Sequence, residues 1–253
     1  MFLIILSPAK RLNLEKKINI KKATNPIFIN ESQDLIKTLS SLNKSNISSL
    51  MNLSTDLTDL NFKRYNNWDI NHNPNNSNPA VSCFEGDVYK ELKVDEFSVD
   101  ELQYLQNHVR ILSGLYGILR PFDLIQAYRL EMGTKLKSKK GDNLYQFWGD
   151  KINKFLKKDL INKSALINLS SNEYYKSIIH KKIDTEIITP IFLDNKKGNY
   201  KVVSFFAKRA RGAMTNFIIK NRVETISHLK DFNGLGYKFN AEKSNDSDLV
   251  FCR

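Results

Sequence analysis

Four short stretches hold the side chains able to do chemistry. Lys10 closes Ser7-Pro8-Ala9-Lys10 directly after an apolar run. A lysine delivered there serves as a phosphate ligand, an amine nucleophile or a solvated cap. Glu85-Gly86-Asp87 sets two carboxylates around a glycine, which suits cation ligation, acid and base work, or a turn capped by Asp87. The stretch Ser113 to Gly133 interleaves Arg120, Asp123, Arg129 and Glu131 with Gly114, Gly117, Pro121 and Gly133, residues that interrupt regular backbone. It reads either as a surface held open for a ligand or as a charged turn with a local ion pair. Lys208-Arg209-Ala210-Arg211-Gly212 is the densest arginine cluster in the chain and points toward anion binding, because a guanidinium fork matches phosphate.

Apolar periodicity indicates the elements that position these groups. Phe2 to Leu6 reads as a buried strand ending at Ser7-Pro8, so Lys10 lies at a sheet edge. Ser32 caps a helix carrying Leu35, Leu39 and Leu42, and two further helical pieces follow, around Ile47 to Met51 and Leu57 to Arg64. The Asn/Pro-rich run from Asn66 to Pro79 is a long surface loop with one end pinned by Trp68. Ala80 to Phe84 reads as a short strand. Ser98 and Glu101 form a capping box, and Leu102, Leu105, Val109 and Leu112 extend that helix into the Gly114 break. Asn143 or Asp142 starts a helix bearing Tyr145, Trp148, Ile152 and Phe155. Ala165 to Leu169 is a second buried strand, and Ser170 to Glu173 beyond it is a capping box opening a short helix, whose N-terminus suits an anion or serves as ordinary capping. Glu186 to Leu193 and Tyr200 to Ala207 form a hairpin that ends in the arginine cluster. The following helix turns Ala210, Ala213, Met214 and Phe217 inward and Arg211, Thr215 and Arg222 outward. Gly236 to Phe239 and Leu249 to Cys252 are two closing strands.

A formal charge of +12 favours anionic partners, nucleic acid first. Lysine doublets such as Lys16-Lys17, Lys21-Lys22 and Lys157-Lys158 beside abundant Asn and Ile are ordinary solvated faces, so the arginines carry that inference. The apolar run after Met1 is too short for a signal peptide or membrane span, so a cytoplasmic location is expected, with no membrane partner. Cys83 and Cys252 stand in no metal-ligand spacing, and His72, His108, His180 and His228 are scattered, so neither metal nor cofactor is expected. There is no Walker motif, G-x-G-x-x-G, H-E-x-x-H or G-x-S-x-G, and no internal repeat. LSGLYG approximates a helix-hairpin-helix turn, although Gly114 and Gly117 are three apart where that motif has its glycines two apart.

The same residues carry a family likeness. SPAK from Ser7, FEGDVY from Phe84, LSGLYGILRPFDL from Leu112, YRLEMG from Tyr128, LYQFWGD from Leu144, NLSSNEYYKS from Asn168 and FFAKRARGAM from Phe205 together resemble the YaaA family of bacterial peroxide-stress proteins over almost the whole chain. Departures are Arg11 and Asn13, where the family usually has Thr and Asp, Ala127 for Pro, and Leu235 for an acidic residue. Lacking the acid, Asn13 enters no catalytic assignment. The resemblance implies a protein that limits oxidative damage under peroxide, associated with lower free iron and with DNA binding. It also implies one α/β (mixed α+β) body over residues 1–253, with a mixed sheet flanked by helices, a positively charged cleft and a helix-hairpin-helix-like element.

Two functions follow as expectations. In one, the protein binds double-stranded DNA without sequence specificity, preferring bulged or bent duplex. Lys10, Arg120, Arg129, Lys208, Arg209 and Arg211 neutralise phosphates, and the Gly114 to Gly117 turn offers backbone amides. In the other it is an enzyme acting on a nucleobase, nucleotide or damaged DNA through Lys10, with Glu85, Asp87 or Glu131 as acid or base. A basic scaffold for an acidic protein is a third reading, without evident obligate partner.

Overall fold

In chain order the elements are β1 (Phe2–Leu6), β2 (Arg11–Leu12), α1 (Ile29–Ser40), α2 (Lys44–Met51), α3 (Thr55–Asn67), β3 (Asn78–Pro79), α4 (Ala80–Cys83), β4 (Phe84–Glu85), α5 (Asp87–Leu92), α6 (Val99–His108), β5 (Val109–Ser113), β6 (Gly117–Leu119) and β7 (Leu124–Ile125). The second half adds α7 (Leu144–Trp148), α8 (Lys151–Asp159), β8 (Ala165–Leu169), α9 (Asn172–Tyr175), β9 (Glu186–Lys196), β10 (Asn199–Lys201), α10 (Ser204–Asn221), α11 (Ile226–Leu229), β11 (Lys238–Phe239) and β12 (Asp248–Cys252). This computed structural model describes residues 1–253 apart from Lys17, Asn19 and Lys21, so the Lys16-Lys17 and Lys21-Lys22 doublets lie partly outside the described residues.

The fold is mixed α/β, built on an eight-stranded sheet in which β1 is an inner strand. The sheet order is β11-β12-β9-β8-β1-β5-β6, with β10 paired to β9. The strands β12, β9, β8, β1 and β5 run parallel, and β11, β6 and β10 join them antiparallel. Every residue of β1, β5 and β8 is buried, the composition required where both faces of a parallel sheet are covered. α6 packs on β1 and β5, while α10 packs on β9 and α5.

The sequence readings of β1, β8 and the two closing strands hold, as does the Ser98–Glu101 capping box at the head of α6. Trp68 does pin the Asn-rich loop: its Nε1–H donates to the Tyr116 hydroxyl at 3.1 Å. Other expectations are corrected. Ala80 to Cys83 is a helical turn rather than a strand, since only Phe84–Glu85 pairs, with β2. Val109 and Leu112 belong to β5, because α6 stops at His108. The Tyr145 to Phe155 helix is two helices, broken at Gly149, whose φ of +50° favours glycine. Ser171 makes no side-chain cap to α9. Ser32 lies inside α1 and donates its hydroxyl to the Leu115 carbonyl.

Two corrections bear on function. Gly114 and Gly117 turn between strands β5 and β6, so LSGLYG is a β-hairpin and not a helix-hairpin-helix, and both glycines are buried. A Cβ on Gly114 would collide with the Leu130 carbonyl, and one on Gly117, at φ +69°, with the Trp148 ring. Both residues are covered by protein in this turn. The late hairpin is also shorter than expected: β10 ends at Lys201, and Lys208 to Gly212 lie within α10.

Candidate functional site

The chain leaves β1 toward β5 on one side and later returns to place β8 on the other. Parallel sheets bind ligands at such a switch point, beyond the carboxyl ends of the strands, where diverging loops leave a crevice. A cavity of about 320 Å³ occupies that position. It is lined by Ser7 to Arg11 after β1, Leu169, Ser171 and Glu173 after β8, Glu85 to Tyr89 at the head of α5, Glu131, Tyr174, and Lys208 and Arg211 from α10.

Short polar links hold these walls together. The Ser171 N–H donates to Ser7 Oγ at 2.8 Å, tying the β8 loop to the β1 loop. The Tyr89 hydroxyl donates to the Ser7 carbonyl at 2.9 Å, and the Gly133 N–H donates to Glu173 Oε1 at 2.9 Å. β2 pairs with β4 in a register that sets Arg11 opposite Glu85, and Arg11 Nε lies 2.6 Å from Glu85 Oε2. Gly212 lets α10 approach α5 closely, because a Cβ there would collide with the Val88 carbonyl oxygen. Tyr89 and Tyr174 form an unionised aromatic wall, their phenols pushed far above the usual range by burial.

The charges divide into committed and uncommitted groups. Glu131 is shared between Lys10 Nζ at 2.7 Å and Arg129 at 3.2 Å. Arg129 therefore adjoins the cavity without lining it, and its Nε is buried with no hydrogen-bond partner among the described residues. Arg120 is bound to Asp123 at 2.9 Å and to the Asn25 carbonyl, and Arg209 to Glu91 at 2.5 Å, so neither lines the cavity. Lys208 and Arg211 do line it, and among the described residues neither has a carboxylate within ion-pair distance. Desolvation alone lowers the Arg211 pKa, with no opposing charge to offset it. The expected outward face of α10 is thus corrected: Thr215 is fully buried and Arg211 turns into the cavity.

Of the residues singled out in the sequence, Lys10, Glu85, Asp87, Glu131, Lys208 and Arg211 converge on one space. A family model described as Peroxide stress protein YaaA matches residues 2–243. The chain belongs to this family. It is 47% identical over 255 aligned residues to a UPF0246 protein of Paraburkholderia xenovorans, covering 99% of this chain and 98% of the relative. It is 45% identical over 253 residues to a UPF0246 protein of Idiomarina loihiensis, with the same coverage.

In this family member Arg11 neutralises Glu85 at the cavity mouth, and Asn13 serves the backbone by accepting the Glu15 N–H at 2.9 Å. Ser171 and Glu173, from the stretch that the sequence offers either as an anion site or as ordinary capping, also line the site, as do Tyr89 and Tyr174, to which sequence reading gave no functional part. The available signal was position: all four lie within a few residues of Glu85-Gly86-Asp87 or of the carboxyl end of β8. Among the described residues, no three His, Cys, Asp or Glu side chains are grouped to hold a metal ion, and no helix is long and apolar enough to cross a membrane.

Proposed function

We propose that the protein acts under peroxide stress by binding duplex DNA without sequence specificity, seating a backbone phosphate on Arg211 and Lys208 at the switch-point cavity. Occupancy of the duplex then limits oxidative damage to it. The observation that carries this reading is Arg211, a permanently charged, half-buried group that lines the cavity with no carboxylate partner among the described residues. A phosphate oxygen supplies the missing partner. The carboxylates of the same cavity oppose an anion less than their number suggests, because Glu131 and Glu85 are already paired with cations.

A salt titration tests the reading. Duplex binding neutralises cations with a slope in log K against log salt of roughly −0.9 per phosphate contact. Lys208 and Arg211 alone give a slope of about −2, and exchange of the carboxylate partners of Lys10, Arg120, Arg129 and Arg209 for phosphates steepens it to about −5. Affinity independent of salt, or unchanged by Arg211→Glu, overturns the reading.

A second reading rests on the cavity's shape. It is a concave space rather than an open groove, with Lys10 held by Glu131 at its mouth and Asp87 and Glu173 on its walls. Such a space suits an enzyme acting on a nucleobase, a nucleotide or a damaged DNA end, with Lys10 attacking an exposed aldehyde carbon and releasing water to form an imine. Borohydride trapping on abasic duplex distinguishes the two: a Lys10-dependent adduct supports the enzyme, and its absence leaves the binding reading alone.

A further inference from the structure

Most large apolar side chains are covered, but three that are not fall within six residues at the junction of β10 and α10. Tyr200 is 41% exposed, Val202 53% and Phe205 51%. Of the chain's fifteen phenylalanines, Phe205 alone is exposed to this degree. Phe205 stands in the first turn of α10, one turn before Lys208 and on the helix that also carries Arg211 into the cavity. Two cations lie against this patch. The Arg209 guanidinium lies 5.9 Å from the centre of the Phe205 ring, and Lys243 Nζ lies 5.2 Å from that of Tyr200. Glu91 holds Arg209 in place from α5.

We infer that Phe205 is a stacking wedge for an unstacked base of distorted DNA, seated beside the phosphate bound by Arg211 and Lys208. This rests on the DNA-binding reading above and assigns the residue that discriminates bulged from regular duplex. An apolar ring among cations matches a nucleic acid better than a protein face. Any base offers a π surface to the ring, while the adjoining phosphates meet Lys208, Arg209 and Arg211. A regular duplex keeps its bases stacked and leaves the ring in water. A bulged nucleotide or kinked step releases a base to cover it, so the preference for distortion arises at Phe205 and the salt-dependent affinity at the cations.

The experiment is fluorescence anisotropy of the full chain with a plain duplex and with the same duplex carrying a one-nucleotide bulge, at one salt concentration. The quantity read is the ratio of the two affinities. Wild type favours the bulged duplex, Phe205→Ala lowers that ratio about tenfold, and Phe205→Trp restores it. With 2-aminopurine as the bulged base, Phe205→Trp also changes its emission on binding. Arg211→Met lowers both affinities and keeps the ratio. A ratio unaltered by Phe205→Ala, or a wild type that does not discriminate, overturns the wedge while leaving duplex binding intact. Loss of all salt-dependent binding in the wild type overturns the underlying reading instead. If the wild type sediments as a dimer that Phe205→Ala dissociates, the patch joins two copies of the chain and the wedge is likewise overturned.

Discussion

Replacing Arg211 with methionine should move ligand affinity and stability in opposite directions. The guanidinium is half-buried with no carboxylate partner among the described residues, so in the free protein its partial desolvation costs the fold stability. Methionine fills similar space without a charge. A stabilising substitution commonly contributes about 0.5–2 kcal/mol, and for a chain of this size 1 kcal/mol shifts the melting temperature by roughly 2–4 °C. The expected rise is therefore about 1–8 °C. Binding should suffer in return. A hydrogen bond between charged groups contributes about 1.5–3 kcal/mol, so DNA affinity should fall roughly 10- to 150-fold at 1.4 kcal/mol per decade. Differential scanning fluorimetry with and without pyrophosphate, alongside duplex titrations, reads both quantities. Pyrophosphate should raise the melting temperature of the wild type and leave that of the variant unmoved. A variant that melts lower than wild type, or that binds DNA equally well, refutes the reasoning, since Arg211 would then be a structural residue with its own partner.

Further outcomes are expected elsewhere in the molecule. Burial holds the His108 pKa at about 4, below its ordinary 6.5, while its Nδ1–H donates to the Phe2 carbonyl. The unfolded chain therefore takes up a proton that the folded one refuses. This contribution to stability is intact above pH 6.5 and is lost toward pH 4, with a slope of up to about 1.4 kcal/mol per pH unit. Urea denaturation across that range should show the decline, and His108→Gln should flatten it. The Cys83 thiol is pushed up to about 12 by burial, so intact-mass spectrometry after peroxide treatment at neutral pH should find Cys83 unmodified. Gly114→Ala should destabilise the fold by several kcal/mol through collision with the Leu130 carbonyl, read as a lower urea midpoint. Unchanged stability would mean that the β5–β6 turn is free to move.

What the sequence disclosed depended on how directly a residue's type determines its surroundings. Phe2 to Leu6 and Ala165 to Leu169 have only one comfortable environment, a sheet covered on both faces, and both were legible. Leu102, Leu105, Val109 and Leu112 keep helical spacing across a boundary where the backbone has become a strand, because pairing of β5 with β1 overrides local period. The run Tyr200 to Ala207 has strand-like composition, yet its second half opens α10, whose buried face is chosen by packing on α5. That misreading concealed Phe205. Lys10, Glu131 and Arg211 were identifiable as chemically capable, but their convergence depends on the strand order, which brings together loops far apart in the chain. Arg120, Arg209 and the paired glycines drew attention for the same chemical reasons and proved to be an ion pair on Asp123, an ion pair on Glu91 and a buried turn.

The contact at Gly212 has a kinetic consequence. With no side chain between α10 and the Val88 carbonyl, the helix that carries Arg211 and the turn that carries Asp87 move as a single slab. These two elements therefore do not part from each other to admit a ligand. Association then needs no separation of α5 from α10, and its rate is governed by diffusional encounter in the field of the surrounding cations. Added salt should slow arrival, while residence time should depend on how well the arriving molecule already fits.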